Sequence, residues 1–254
     1  MTMMAIRYTA CAALLLSVST LWASSFPLEN LKDMELSIGV GPAWMHTDNT
    51  RSVISSYETD SVLVSHVTKS ALWKVGLGYH FFENKLAQRR FFNDLLLQLN
   101  LYHSEQTIRG NVWQYQYSQF NNYRFGVPLN SVRLMLDVKP SLLTYYHVSL
   151  YPIVGLGVAW NKLSYRENIQ SGSGVTADSR LFLGVNNDSQ FAYDFGAGLR
   201  ADLTDHLSAS LEYLYTNLGD ATPSKPAKNG VLLSSPPTFN LYTQAVLFGF
   251  AWKI

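Results

Sequence analysis

The sequence predicts an all-β fold, a closed antiparallel eight-stranded transmembrane β-barrel, and three observations carry that prediction. Apolar side chains recur with a period of two in about eight separate segments, the pattern of strands with one apolar face. Those faces are long and end in aromatic residues (Trp44, Tyr79, Phe81, Trp160, Tyr213, Tyr215, Tyr242 and Trp252), as interfacial girdles do. The connections alternate between long polar stretches and shorter turns, which sets four long outer loops against periplasmic turns. A soluble antiparallel sandwich also alternates. Its second face would be a solvated surface rich in Lys and Glu, whereas here that face is small or charged.

Taken in order, the chain opens on a targeting segment. Arg7 is the only charge before Glu29, the apolar stretch Ala10–Leu16 follows, and Ala23, Ser24 and Ser25 are small. That order describes a secretory signal peptide cleaved before Phe26, with cleavage after Ala23 the near alternative. Residues 1–25 are therefore the signal and 26–254 one barrel domain. Loss of residues 1–25 removes Cys11, the single cysteine, so the exported chain holds no disulfide. It also removes Arg7, which brings the 19 basic residues level with the 18 acidic ones.

The first predicted strand lies in Glu35–Trp44, with Leu36, Ile38, Val40 and Trp44 on its apolar face. Trp73, Val75, Leu77, Tyr79 and Phe81 mark the second. Leu95 to Leu101 mark the third and Val132 to Val138 the fourth. The fifth carries Val154, Leu156, Val158 and Trp160, and the sixth runs from Phe191 to Leu203. The seventh runs from Leu207 to Thr216 and the eighth from Tyr242 to Ile254. Each is close to the ~9–11 residues a tilted membrane strand needs. Segments Thr47–Ser65, Ser104–Asn121, Leu163–Ser189 and Asn217–Phe239 read as the outer loops. Apolar parity switches between Leu129 and Val132. Either a bulge at Pro128–Ser131 explains the switch, or the strand starts at Ser131 and Asn122–Asn130 is loop.

Composition excludes several functions. A formal net charge of +1 gives no long-range field for nucleic acid. Six scattered histidines without metal-ligand spacing give no metal or cofactor site. Gly196-x-Gly198-x-x-Ala201 matches a dinucleotide fingerprint, but it continues as an alternating strand and opens no helix.

The segments Leu211–Asp220 (LEYLYTNLGD) and Ala245–Ile254 resemble the seventh strand and the C-terminal strand of a known group. The chain is similar to the small eight-stranded outer-membrane barrels of Gram-negative bacteria, the OmpA-type transmembrane domain and opacity-porin group. The resemblance implies a bacterial outer-membrane location. It also implies recognition of the last strand by the barrel-assembly machinery, through Phe248, Phe250, Trp252 and Ile254. Ile254 stands where such proteins usually end in Phe. No residues follow the last strand, so the peptidoglycan-binding domain of full OmpA is not expected.

The charges opposite the apolar faces point into the lumen. Glu35, Lys74, Arg133, Asp137, Asp194, Arg200 and Glu212 form the expected network, with Asp94, Asp202 and Lys253 on the same face. Eight strands leave room for side chains only, so a salt-bridge network closing the lumen is favoured over an ion path. The glycine pairs Gly39/Gly41, Gly76/Gly78, Gly155/Gly157 and Gly196/Gly198 share that face. They suggest a flattened section, with long side chains from the opposite wall over glycine-lined surfaces. Arg51, Arg109, Arg124, Arg166 and Arg180 lie near the outer rim and suit lipopolysaccharide phosphates. The Tyr- and Asn-rich loop Asn111–Tyr123 suits adhesion or host contact. His206-Leu207-Ser208 is similar to the His-x-Ser of the outer-membrane lipid A deacylase, but it falls in a periplasmic turn. The expected protein is a monomer that is structural or acts in surface interaction. A narrow pore is the alternative, and a lipid A-modifying enzyme the second.

Overall fold

The computed structural model describes residues 33–83, 89–90, 92–174, 180–225 and 227–254. The expected signal peptide lies outside the described residues. The strands are β1 (Met34–His46), β2 (Thr50–Val53), β3 (Thr59–Val67), β4 (Ser70–Glu83), β5 (Arg89–Arg90) and β6 (Asp94–Trp113). They continue as β7 (Asn121–Pro140), β8 (Leu143–Tyr145), β9 (Val148–Ile169), β10 (Phe182–Asp202), β11 (Leu207–Ala221) and β12 (Phe239–Lys253). All pairings are antiparallel. They run β1–β4–β6–β7–β9–β10–β11–β12, and β12 pairs β1 again, a ring of eight strands. In such a ring the long strands pair on both sides through the lower part, while residues 182–192 of β10 pair β9 on one side and, among the described residues, form only the bridge Leu183↔Ala227 on the other.

Four strands outrun a membrane. β6, β7, β9 and β10 have 20, 20, 22 and 21 residues. With a rise of about 3.3 Å per residue and a tilt of about 40°, β9 climbs roughly 55 Å, twice the ~25 Å apolar band of such barrels. The excess lies at the long-loop end, which faces outward in this architecture. The expected loops Ser104–Asn121 and Leu163–Ser189 are therefore largely strand: β6 continues to Trp113, and β9 and β10 continue through Ile169 and from Phe182. Within Thr47–Ser65, β2 and β3 form a hairpin whose β3 pairs the upper half of β6, above the end of β4.

Polarity inverts along these long strands. On β9 the outward residues Val148, Leu150, Pro152, Val154, Leu156, Val158 and Trp160 are apolar, and Lys162, Ser164, Arg166 and Asn168 above them are polar. On β6 the outward side changes from Leu95, Leu97, Leu99 and Leu101 to His103, Glu105, Thr107, Arg109 and Asn111. The inward side changes the opposite way, from Gln98, Asn100 and Ser104 to Ile108, Gly110 and Val112. The lower part is thus a membrane barrel, apolar outside and polar inside. The upper part has the layout of a water-soluble barrel, with an apolar core and a polar surface. Ile108, Val112, Tyr123, Phe125, Val127, Leu129, Leu163, Tyr165 and Phe239 are all buried in one cluster. A large side chain taken out of water contributes about 1.5–3 kcal/mol, and the upper part needs this because no lipid covers it.

The inversion also accounts for the parity switch near Pro128. Neither sequence reading of it holds. β7 is one continuous strand, and its register against β6 runs unbroken from Leu95↔Pro140 to Val112↔Tyr123. Odd residues point inward throughout β7, Tyr123, Phe125, Val127 and Leu129 above and Ser131, Arg133 and Asp137 below. The environment changes sides and the strand does not.

Candidate functional site

The lower lumen is filled by a layered polar network. Glu212 on β11 accepts hydrogen bonds from Lys74 Nζ at 2.6 Å, Lys139 Nζ at 2.8 Å and Tyr151 Oη at 3.0 Å. Lys139 also donates to Gln98 Oε1 at 2.6 Å. Gln98 Nε2 donates to Ser37 Oγ at 2.8 Å and to Glu35 Oε1 at 3.2 Å. Glu35 in turn is held by Arg200 at 2.8 Å and lies 3.2 Å from His80, whose other ring nitrogen is 2.8 Å from Asp94. The cavity between these side chains holds about 30 Å³, room for about one water.

One level higher, Asp137 accepts from Asn100 Nδ2 at 2.6 Å and Tyr102 Oη at 3.0 Å. Arg133 lies over the Tyr102 ring, 4.5 Å from its centroid. Asp137 and Asp194 converge over Gly155, where a Cβ would come within 2.3 Å of a carboxylate oxygen of each. Of the lumen residues expected from sequence, the structure thus groups Glu35 with Arg200, Lys74 with Glu212, and Asp137 with Asp194 and Arg133. Sequence reasoning missed Lys139 and His80. Lys139 lies one residue beyond the expected fourth strand, Val132 to Val138, although it continues the inward odd positions of β7, and His80 counts there only as a scattered histidine.

The glycine expectation needs correction. The side chains over these glycines come from adjacent strands: Lys74 over Gly39, Asn100 over Gly76, and Tyr151 over Gly198. At Gly41, Gly157 and Gly196 a Cβ would run into a neighbouring strand's carbonyl oxygen, at 1.8, 2.0 and 2.0 Å. Those glycines allow close strand approach.

The outer end holds a second group. Tyr115 and Gln116, at the tip between β6 and β7, have φ of 52° and 64°, the left-handed region that non-glycine residues rarely occupy. Asp60 Oδ1 accepts from the Tyr115 backbone N–H at 3.0 Å and fixes that turn. Tyr57, Tyr115, Tyr117 and Phe120 are exposed around it, Tyr57 at 93%. Phe120 makes edge contacts with Tyr115 and Tyr117, at 6.2 and 6.3 Å between centroids.

Beneath the tip, Glu167 is buried in the apolar core of the upper part. It accepts from Tyr165 Oη and from the Leu181 backbone N–H, both at 2.7 Å. Burial pushes its carboxyl up to about 7, helped by the neighbouring Asp60 and Glu58. Asp60 is likewise pushed up to about 7 by burial and by Glu58. An acid with a raised folded-state pKa favours folding while protonated and loses that advantage as pH rises through the folded value. The upper part is therefore expected to be more stable at pH 5 than at pH 8. Glu167→Gln, whose amide oxygen keeps the acceptor for Leu181 and whose amide N–H can donate to the Tyr165 hydroxyl in place of accepting from it, relieves up to about 3 kcal/mol at pH 8. Hydrogen exchange of Tyr165–Ile169 checks this: the variant should gain protection at pH 8 and match the parent at pH 5.

The expected rim arginines fall into two sets. Arg109, Arg124 and Arg166 are exposed on the adjacent strands β6, β7 and β9. Arg166 and Arg180 both lie over the Phe182 ring, at 5.5 and 5.1 Å. Arg51 stands apart on β2. In the last strand Phe248, Phe250 and Trp252 face outward on the apolar band, and the Ile254 backbone N–H donates to the Met34 carbonyl at 3.0 Å. His206 stacks on Trp252 in the lower turn, at 6.2 Å.

A ring of eight strands with an apolar outer band agrees with the family that matches the chain. The outer membrane protein beta-barrel domain family matches residues 9–253. The chain belongs to that family. Its place is accordingly the bacterial outer membrane. No curated protein sequence matches the chain. Among solved structures it is similar to the outer membrane protease OmpT from Escherichia coli, with 9% identity and a TM-score of 0.52, covering 88% of this chain and 97% of OmpT. It is similar also to OprG from Pseudomonas aeruginosa (15% identity, TM-score 0.44, 90% and 99% covered) and to neisserial surface protein A (13%, 0.40, 87% and 97%). At 9% identity the likeness to OmpT shows the fold alone.

Proposed function

We propose that this outer-membrane barrel is a non-catalytic surface-interaction protein whose upper part holds a binding tip clear of the lipid. The observation that carries the reading is the exposed aromatic tip of Tyr57, Tyr115, Tyr117 and Phe120 on a rigid, apolar-cored extension. Aromatic side chains supply large contact area at low entropic cost, and two left-handed residues at a tip are the kind of strain found at binding sites. A scaffold that only crossed the membrane would need neither. The filled lumen favours this role over the pore, and the periplasmic placement of His206 disfavours the lipid A-modifying enzyme.

Bacteria expressing the chain should adhere to cultured epithelial cells, and the variant Tyr57→Ala, Tyr117→Ala, Phe120→Ala should lose most of that adherence at equal surface display. Equal adherence of the two would overturn the reading. So would reproducible conductance steps of the purified protein in a planar bilayer.

A further inference from the structure

Gly126 is a glycine without an internal reason. Among the described residues it is the one strand glycine where an added Cβ would meet nothing within 4 Å, and its φ is not in the left-handed region. Glycine weakens a strand, and in strands it often marks the close approach of another molecule. Its register neighbours are Arg109 on β6 and Arg166 on β9, which lie directly across from it on the same outer face. Arg124 is the next outward residue up β7. Arginines at outward positions of three adjacent strands thus border an open floor, the Arg166 guanidinium resting over Phe182 on the β10 side. None of the three has an ion-pair partner among the described residues. Like charges on neighbouring strands, with no acid paired to them, repel within a Debye length, so the arrangement favours an anion at this row.

Immediately below is a cleft of about 530 Å³ lined by Thr107, Pro128, Asn130, Lys162 and Ser164, among others. Apart from Pro128 these offer hydroxyl, amide and ammonium groups suited to a sugar, and Leu129, Leu163 and Val185 supply apolar wall. Its acid, Glu105, accepts from Asn130 at 2.9 Å and lies beside His103, two outward rows below the arginines. The next row down is His103, Val132 and Trp160, where the apolar band begins. A molecule with its acyl chains on Leu134, Leu136, Leu156 and Val158 would bring its headgroup into this cleft.

We propose that the cleft and the Gly126 notch form one binding site for the phosphorylated sugar headgroup of an outer-leaflet glycolipid. The sugar occupies the cleft and a phosphate sits on Gly126 between Arg109, Arg124 and Arg166, as guanidinium groups bind phosphate bidentately. The site deepens the surface-interaction reading by naming a ligand class for the wall, and it rests on the outer-membrane placement.

The test uses the full chain refolded in uncharged detergent and measures binding of bisphosphorylated lipid A. Gly126→Glu puts a carboxylate in the notch at no steric cost and should weaken binding at least tenfold. Arg109→Gln with Arg166→Gln should do the same, and Lys225→Gln should have no effect. Dephosphorylated lipid A should bind at least tenfold more weakly. Equal binding of the phosphorylated lipid by Gly126→Glu and the parent, with both showing the parent's heat-dependent gel shift, overturns the proposal. Glucosamine phosphate binding as tightly as lipid A would assign the site to a soluble sugar phosphate and overturn the lipid source. Phe120→Ala should leave lipid A binding intact, so failure of the tip reading and failure of this site give different results.

Discussion

Glu212→Ala is expected to destabilise the barrel by about 3–5 kcal/mol, the usual cost of leaving a buried charge without its partner. Glu212 faces two lysines, Lys74 and Lys139, whose side chains are 2% and 3% exposed. With the carboxylate gone, two ammonium groups remain in the lumen, and Tyr151 also loses its acceptor. Water can offer little relief, because the neighbouring cavity holds about one molecule. The effect should appear as a large drop in the urea midpoint of the protein in lipid vesicles. A triple variant that also removes the lysines, Glu212→Leu with Lys74→Met and Lys139→Met, should recover most of the loss, since buried ion pairs exchange for apolar groups at small net cost. A midpoint unchanged in Glu212→Ala would mean that the lumen is hydrated and the network does not close it.

The second large effect lies on the outer wall. Leu156→Arg should cost about 2–4 kcal/mol, because it places a guanidinium against the middle of the lipid band. Ser164→Arg, eight residues on and on the same face of β9, should cost close to nothing, because that position already faces water between Lys162 and Arg166. The two variants differ only in height. Folding efficiency into vesicles across a urea series should separate them, and equal costs would contradict a lipid boundary near Trp160.

The lower part of the barrel was legible in the sequence because one rule applies to all its strands: apolar residues face lipid at every second position. The segments around Leu36, Val75, Leu99, Leu156 and Phe248 were all found that way. The upper part was not legible for the same reason. At Tyr123, Phe125, Val127 and Leu129 the apolar face points inward, so a rule that places apolar residues outside reads a shift of register where the strand is straight. The polar outward residues of β6 and β9, from Glu105 to Asn111 and from Ser164 to Asn168, then read as loop. The lumen acids and bases of β1, β4 and β11 were found by parity alone. Lys139 was lost because parity was not carried to the end of β7. The rim arginines were recognised as a class, but only register shows that Arg109 and Arg166 flank one glycine while Arg51 stands elsewhere.

The central claim is that the chain changes from a membrane barrel to a water-soluble one along continuous strands. Spin labels placed singly at outward positions of β9, from Leu150 to Asn168, test it most directly in lipid vesicles. Accessibility to oxygen should exceed that to a water-soluble nickel chelate from Leu150 through Trp160, and the order should reverse from Lys162 upward. Lipid-type accessibility persisting to Asn168, or water-type accessibility at Val154 and Leu156, would contradict it.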